Sequence, residues 1–208
     1  HLKEAVEWSD MVLGHEDVET LQQVQLLVTV LGRLRRIGEA VYYLDRWHKG
    51  ILEMPENEDT VETRVHMAIA FHTVGRVEEA LRLVEGAVRW TRALSDNEGV
   101  PHPKLPGRLI TYANLLDQRG HHPEAEGLIR EALDVEQRAH GEQSGPVAIR
   151  YSQLADYLRG YGRKDEAAGW YEVAATTMMD VFGVQHEHTQ DVVTKLIACL
   201  LEMCSLES

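Results

Sequence analysis

The sequence predicts an all-α protein, a right-handed superhelical solenoid built from antiparallel helix pairs. One reason is that apolar residues recur three, four and seven positions apart, as at Leu109, Tyr112, Ala113 and Leu116, which is the spacing of one helix face. A second reason is a skeleton of small residues that occurs three times, with gaps of 7, 5 and 7 positions. Its copies are Ala68, Gly75, Ala80 and Ala87; Ala113, Gly120, Ala125 and Ala132; and Ala155, Gly162, Ala167 and Ala174. Because the spacing is constant, we expect each copy to form the same helical hairpin.

Composition and charge argue against several classes of function. With 44% hydrophobic residues among 208, the chain has ample material for a core. Its 34 acidic and 21 basic residues give a net charge of −13, which repels nucleic-acid phosphates and anionic membrane surfaces. No apolar stretch approaches the ~18 residues of a membrane span, and no signal peptide is apparent. Cys199 and Cys204 are predicted to be reduced thiols, which indicates a cytoplasmic protein. From the charge and the absence of an apolar span, we expect that it binds neither nucleic acid nor membrane.

The first element, residues 1–13, is predicted to be the end of a second helix that belongs to a preceding repeat. Ala5 lies nine positions before Gly14, just as Ala132 lies nine positions before Gly141. The register of the repeats therefore extends to the beginning of the sequence.

The next repeat, residues 14–55, carries a degraded copy of the skeleton. Val28, Arg35, Ala40 and Trp47 keep the spacing of 7, 5 and 7, although an arginine stands in the position of the glycine. We therefore expect a helical hairpin here as well.

Three full repeats follow, at 56–98, 99–141 and 142–183. In each, a glycine after the first helix can adopt the left-handed conformation at low steric cost. Acidic residues then open the second helix, where they favour the positive end of the helix dipole. The alanines let the two helices cross closely, because larger side chains would force the axes apart. Residues 184–208 are predicted to be a partial repeat, so that residues 1–208 form a single array.

Two connections carry particular signals. Residues 96–107 are rich in glycine and proline, among them Pro101 and Pro103, and are predicted to form an elongated loop between repeats. Ser144 is predicted to cap the helix that follows it, with Pro146 in the first turn.

These helical hairpins resemble tetratricopeptide (TPR) repeats. The step from Ala5 to Ala174 averages about 42 residues, longer than the standard 34, and this longer unit is similar to the repeats of kinesin light chains. The connecting signature of that family, Leu-Gly-x-x-His-Pro-x-Thr-Leu, is echoed at 12–21 and at 182–189, and His102-Pro103 keeps its central pair. The resemblance implies a TPR-like α-α superhelix and a protein-binding scaffold, while the partner is left open.

The chain departs from the family at the positions that would bind cargo. In kinesin light chains, asparagines stand two residues before the close-contact alanine. This sequence instead has Leu26, His66, Thr111, Gln153 and Lys195 there. The converging Lys, Asn and Arg of the TPR carboxylate clamp are missing as well. The cargo chemistry of the family therefore cannot be transferred to this chain.

Polar residues on the first helix of each pair are expected to line the concave groove of the array. Their amides, imidazoles and mixed charges suit an extended peptide or a partner helix. The candidate groove residues are Gln25, Thr29, Arg33, His66, His72, Asn114, Asp117, Gln118, Gln153, Asp156, Arg159 and Lys195. The alternatives are that these are solvated helix faces, or that an edge or the convex face binds.

Candidate metal and catalytic groups have simpler explanations. His121 and His122 occupy a turn between paired helices, and His186 stands where the resemblance places a histidine of the connecting loop. Zinc sites usually need three or four ligands at defined spacing. The nucleophile-elbow, zinc-protease and P-loop motifs do not occur, and Cys199 lies in an apolar stretch. We therefore predict no metal, no cofactor and no enzyme activity.

Three functions remain open at this point. The leading one is a non-catalytic scaffold that binds a protein or peptide partner, as a fragment of a larger multidomain scaffold or signalling protein. A second is a regulatory or sensor domain attached to an enzyme or nucleotide-binding platform. A third is self-association into a homo-oligomer through apolar repeat ends. The residues predicted to be exposed at those ends are Val6, Met11, Val12, Leu196, Leu200 and Leu201.

Overall fold

The computed structural model describes residues 1–14 and 17–204, and all regular secondary structure in these ranges is helical. The helices are α1 (Leu2–Leu13), α2 (Val18–Arg33), α3 (Ile37–Glu53), α4 (Glu58–Thr73), α5 (Val77–Glu98), α6 (Leu105–Gln118), α7 (His122–His140), α8 (Gly145–Gly160), α9 (Lys164–Phe182) and α10 (Glu187–Cys204). The predicted all-α class is confirmed. His15 and Glu16, which belong to the connecting signature at 12–21, lie outside the described residues.

The chain divides into two compact units, His1–Leu94 and a second unit that begins at Ser95. Each is described below by itself, and the single array over residues 1–208 stays a prediction. No helix in the described ranges is long and apolar enough to span a lipid bilayer.

The first unit keeps the register of the degraded skeleton. Val28 and Ala40 have no exposed surface, and Trp47 is 1% exposed in the position that alanine holds in the full copies. The Trp47 ring lies 5.9 Å from that of Tyr43, measured between centroids. The hairpin of α2 and α3 therefore accommodates an indole where the other hairpins use a methyl group.

The turn between α2 and α3 places Arg35 in the left-handed region, with φ +57°. The glycines in the same skeleton position, Gly75, Gly120 and Gly162, have φ of +85°, +81° and +75°. The predicted helix-ending conformation is confirmed, and the turn keeps it even where an arginine stands. This conformation costs a residue with a β-carbon roughly 1–2 kcal/mol.

The second unit is built on the intact skeleton. Ala113 in α6 and Ala132 in α7 have no exposed surface, and the same holds for Ala155 in α8 and Ala174 in α9. Each pair of helices therefore packs through small residues, which is the reason the sequence analysis gave for the alanines.

The connection before α6 is shorter than predicted. Residues 96–98 belong to α5, and α6 begins at Leu105, so the loop comprises residues 99–104 rather than 96–107. Helix α5 continues to Glu98 because residues 96–98 are acidic or polar and can form an exposed last turn. Within the loop, the backbone N–H of His102 donates to Oγ of Ser95 at 2.9 Å.

Helix capping differs in part from the prediction. Ser144 stands at the N-cap of α8, with Pro146 in the first turn, as predicted. Its hydroxyl, however, donates to the carbonyl of Gly141 at 2.8 Å instead of accepting from the helix. A full capping box occurs at α4, where Oδ1 of Asn57 accepts from the N–H of Thr60 at 2.9 Å and the Asn57 N–H donates to the Thr60 hydroxyl at 3.0 Å. This cap was not predicted from the sequence.

The predicted exposure of the terminal apolar residues is wrong for one of them. Val6 has no exposed surface; α1 packs against α2, and Ser9, one turn after Val6, lies 2.8 Å from the hydroxyl of Thr20. The others in that set are exposed or half-buried, namely Met11, Val12, Leu196, Leu200 and Leu201. Self-association through these residues stays a prediction.

Candidate binding surface

A pocket of about 240 Å³ lies in the second unit and is lined by side chains of α6, α7 and α8. Three predicted groove residues line it, and they are Asn114, Gln153 and Asp156. The other lining residues are Ile110, Ile129 and Tyr157. Polar groups from two successive first helices therefore stand beside an apolar lining.

Helical spacing explains why these residues meet. Ile110 and Asn114 are four positions apart on α6, and residues 153, 156 and 157 are three and four apart on α8, so each set shares one helix face. Ile129, which is 4% exposed, comes from the second helix α7 and closes the pocket from the side of the core. The three apolar lining residues were not predicted from the sequence, since only polar first-helix residues were expected to line the groove.

The amide of Gln153 has a defined orientation. Its Oε1 accepts a hydrogen bond from Nη1 of Arg150 at 2.7 Å, and since that donor is an arginine, the amide oxygen must face it. Nη2 of the same arginine lies 3.1 Å from Oε1 of Glu136. The NH2 group of Gln153 is thus the end available to a ligand, while Asn114 is exposed.

The carboxylate of Asp156 is held by two donors. The Tyr171 hydroxyl donates to Oδ1 at 2.6 Å, and Nζ of Lys195 donates to Oδ2 at 2.9 Å. Lys195 also pairs with Asp191 at 3.1 Å. Burial works to lower the pKa of Lys195, but the bonds to the two carboxylates outweigh it and raise that pKa. The predicted groove residues Asp156 and Lys195 therefore form an ion pair with each other.

Arg159 is engaged in the same way. Its guanidinium pairs with Glu202 on α10, and Nζ of Lys164 lies 3.2 Å from the other carboxylate oxygen. The bond from Arg159, and after it the bond from Lys164, hold the pKa of the Glu202 carboxyl group below its ordinary value. Arg159 thus links α8 to α10 through an ion pair. The local sequence pattern does not predict this pair.

Asp117 belongs to a cluster at the turn between α6 and α7. The Tyr161 hydroxyl donates to its Oδ1 at 2.5 Å, and Nδ1 of His122 lies 2.9 Å from the same oxygen. The hydroxyl of Tyr157 donates to the carbonyl of His122 at 2.8 Å. His122 was interpreted from sequence as an ordinary turn residue, whereas it joins this turn to α8. Gln118, next to Asp117, is exposed.

The five candidates of the first unit lie on α2 and α4. The Thr29 hydroxyl donates to the carbonyl of Gln25 at 2.9 Å, so it is used within its own helix. Arg33 is exposed, and Nε2 of His66 lies 3.5 Å from Glu62. His72 is half-buried.

Groups suited to metal or thiol chemistry are engaged in other ways. Within the described residues, no cluster of three or more His, Cys, Asp and Glu side chains could hold a metal ion. Cys199 has no exposed surface, its Sγ lies 3.5 Å from the carbonyl of Lys164, and burial raises the pKa of the thiol. His186 stacks on Phe182 with ring centroids 4.7 Å apart.

Comparison with known proteins gives matches among solved structures. No protein-family model matches the sequence, and neither does any curated protein. The crystal structure of BtubC (BKLC) from P. vanneervenii matches with a TM-score of 0.68 and 20% identity over 95% of this chain and 78% of that chain. The TPR-like repeats of a putative kinesin light chain from Podosopora anserina match with a TM-score of 0.68 and 16% identity, over 88% of this chain and 86% of that one. A second crystal structure of those repeats, that of a variant, matches with a TM-score of 0.67 and 17% identity, over 88% of this chain and 85% of that one.

These neighbours confirm the fold inferred from the alanine and glycine skeleton. The chain has the TPR-like helical-repeat fold seen in kinesin-light-chain-type repeats. Identity this low establishes the fold alone. Repeat folds of this kind create extended surfaces that are used for binding.

Proposed function

We propose that this protein is an interaction scaffold whose second unit binds an extended peptide segment along α6 and α8. The observation that carries the proposal is the pocket that Asn114 and Gln153, on two successive first helices, line together with apolar residues. An extended peptide offers unpaired backbone groups at regular intervals and side chains between them. Amides that donate and accept, next to a place for an apolar side chain, match that pattern.

The size of the pocket favours a peptide over a cofactor. Sites for drug-sized ligands and cofactors usually measure about 300–1,000 Å³, whereas this one measures about 240 Å³. A space of this size suits one residue of a longer chain, whose remainder lies on the helices outside. For the first unit, a similar role of Gln25, Thr29, Arg33, His66 and His72 remains a prediction.

The test is a selection of peptides from a random displayed library against the full chain, followed by affinity measurements on purified variants. Replacing Asn114 and Gln153 by alanine together removes two hydrogen-bonding groups, each worth about 1 kcal/mol. The double variant is therefore expected to bind the selected peptides about thirtyfold more weakly. Arg159 is left unchanged, because its replacement would break the ion pair with Glu202 on α10. A loss of affinity could then reflect a change in structure rather than a lost contact with the peptide.

The matched control is Gln143→Ala, which removes an exposed amide from the loop before α8 and is expected to leave affinity unchanged. The proposal fails if the selected peptides bind the double variant as tightly as the original chain. It fails equally if no peptide is selected at all.

A further inference from the structure

We infer that the pocket between α6 and α8 takes an uncharged peptide segment anchored by one aliphatic side chain. This inference rests on the proposed function and adds the chemistry of the partner. Three features of the second unit carry it, namely the apolar lining, the pairing of the charges around the pocket, and the orientation of the amides.

The apolar lining identifies the anchor. Ile110 and Ile129 contribute branched aliphatic side chains, and Tyr157 contributes an aromatic ring. Tyr157 already uses its hydroxyl to donate to the carbonyl of His122, so what this residue offers a ligand is its ring. An aliphatic side chain that enters this lining gains by leaving water, while a charged one would give up part of its hydration on entering it.

The lysine and arginine side chains of α8 and α10 are already neutralised, which argues against an acidic ligand on this side of the pocket. Helices α8 and α10 contain three lysines and arginines, and each of them pairs with a carboxylate within the unit. The pairs are Arg150 with Glu136, Arg159 with Glu202, and Lys195 with Asp156 and Asp191. An acidic peptide would have to displace one of these carboxylates, leaving it unpaired at the same surface.

The carboxylates next to the pocket are equally engaged, which argues against a basic ligand. Both oxygens of Asp156 accept hydrogen bonds, one from Tyr171 and one from Lys195. Asp117 accepts from Tyr161 and lies within hydrogen-bond distance of His122. A cationic side chain would therefore compete with Lys195, His122 and the two tyrosine hydroxyls for these oxygens.

The amides complete the match to an uncharged segment. Because Arg150 occupies Oε1 of Gln153, the NH2 group of Gln153 faces a ligand as a donor, and peptide carbonyls are the natural acceptors. The exposed amide of Asn114 can donate or accept. Recognition thus rests on backbone groups and one apolar side chain, without an ion pair.

The test uses three tripeptides of identical backbone, each acetylated at the N-terminus and amidated at the C-terminus so that no terminal charge remains. Their central residue is leucine, glutamate or lysine, between two alanines. Each is titrated into the full chain labelled with ¹⁵N, and the side-chain amide signals of Asn114 and Gln153 are followed. We expect the leucine peptide to shift both signals and to bind at least about tenfold more tightly than the other two.

Two further measurements sharpen the result. The affinity of the leucine peptide is expected to stay the same between ~50 mM and ~500 mM NaCl, because salt screens only interactions between charges. The Asn114→Ala variant is expected to weaken its binding, whereas Gln143→Ala is not. Both replaced residues are exposed, so neither change disturbs the core.

The outcomes separate this inference from the proposed function. Preferential, salt-sensitive binding of the glutamate or lysine peptide at these two amides would overturn the uncharged partner and leave peptide binding at this surface intact. If none of the three peptides shifts the two signals, the inference is also overturned. The proposed function then stands or falls with the peptides selected from the library.

Discussion

At the scale of the residue, Arg35 is the clearest case of a local conflict between sequence and backbone. It has φ +57°, and among the described residues every other positive φ belongs to a glycine. We expect Arg35→Gly to raise the free energy of unfolding by about 0.5–1 kcal/mol, since removing the left-handed strain outweighs the greater freedom of glycine in the unfolded chain. Urea denaturation of the two proteins measures this difference.

The matched change is Gly162→Arg in the second unit, where φ is +75° and the strain is introduced instead of removed. It is expected to lower stability by about 0.5–1 kcal/mol, because the same two contributions act with opposite sign. A loss of stability in Arg35→Gly would mean that the arginine side chain contributes more than its backbone conformation costs.

Single residues also show which parts of the site the sequence could predict. Asn114, Gln153 and Asp156 were found because helical spacing places them on first-helix faces, and spacing is a local property. Glu202, which pairs with Arg159, and Asp156, one of the two carboxylates that pair with Lys195, lie 43 and 39 positions away. Which carboxylate such a side chain meets depends on how successive helix pairs stack, and that cannot be obtained from the local pattern.

At the scale of the element, α2 and α4 approach each other closely near their last turns. A β-carbon added to Gly32 would lie 2.7 Å from Cγ2 of Thr73, and that branched side chain has few alternative rotamers in a helix. We expect Gly32→Ala to lower the free energy of unfolding by about 1–2 kcal/mol through overpacking. The added change Thr73→Ser removes the obstructing methyl group and should restore most of the loss.

The control is Gly86→Ala in α5, where a β-carbon would meet nothing within 4 Å. There the higher helix propensity of alanine should add about 0.5–1 kcal/mol. Equal effects of the two substitutions in thermal or urea unfolding would contradict a close approach of α2 and α4.

The cluster that joins the α6–α7 turn to α8 predicts a pH dependence of stability. Burial works to raise the pKa of Asp117, but the bonds from Tyr161 and His122 outweigh it, so this pKa lies below its ordinary value. A carboxyl group with a lowered pKa contributes stability that is present above its unfolded-state pKa and is lost as the pH falls through the folded-state pKa.

Asp117→Asn is therefore expected to lower stability at pH 7, with a difference from the original chain that shrinks below about pH 4. Urea unfolding of both proteins across a series of pH values measures it. Asp134→Asn is the control, because the Asp134–Arg138 pair is exposed and is expected to contribute at most about 1 kcal/mol. A difference for Asp117→Asn that stays constant down to about pH 2 would contradict the role of its charge.

At the scale of the whole molecule, the fold could be predicted and the partner could not. Periodic small residues such as Ala113 and Ala155 specify how helices pack, and the match to solved TPR-like structures covers 95% of the chain at only 20% identity. Recognition depends instead on single side chains such as Asn114 and on the pairing of the charges around them. Two chains can therefore share the packing skeleton and recognise different partners.

If a peptide lies on the first-helix face of the second unit, photo-crosslinking should locate it there. A benzophenone amino acid is placed either at position 118, one turn after Asn114 on α6, or at position 134, on the exposed side of α7, and each protein is irradiated with a selected peptide. We expect a covalent adduct at position 118 and none at position 134. An adduct at position 134 alone would contradict binding of the peptide on the first-helix face.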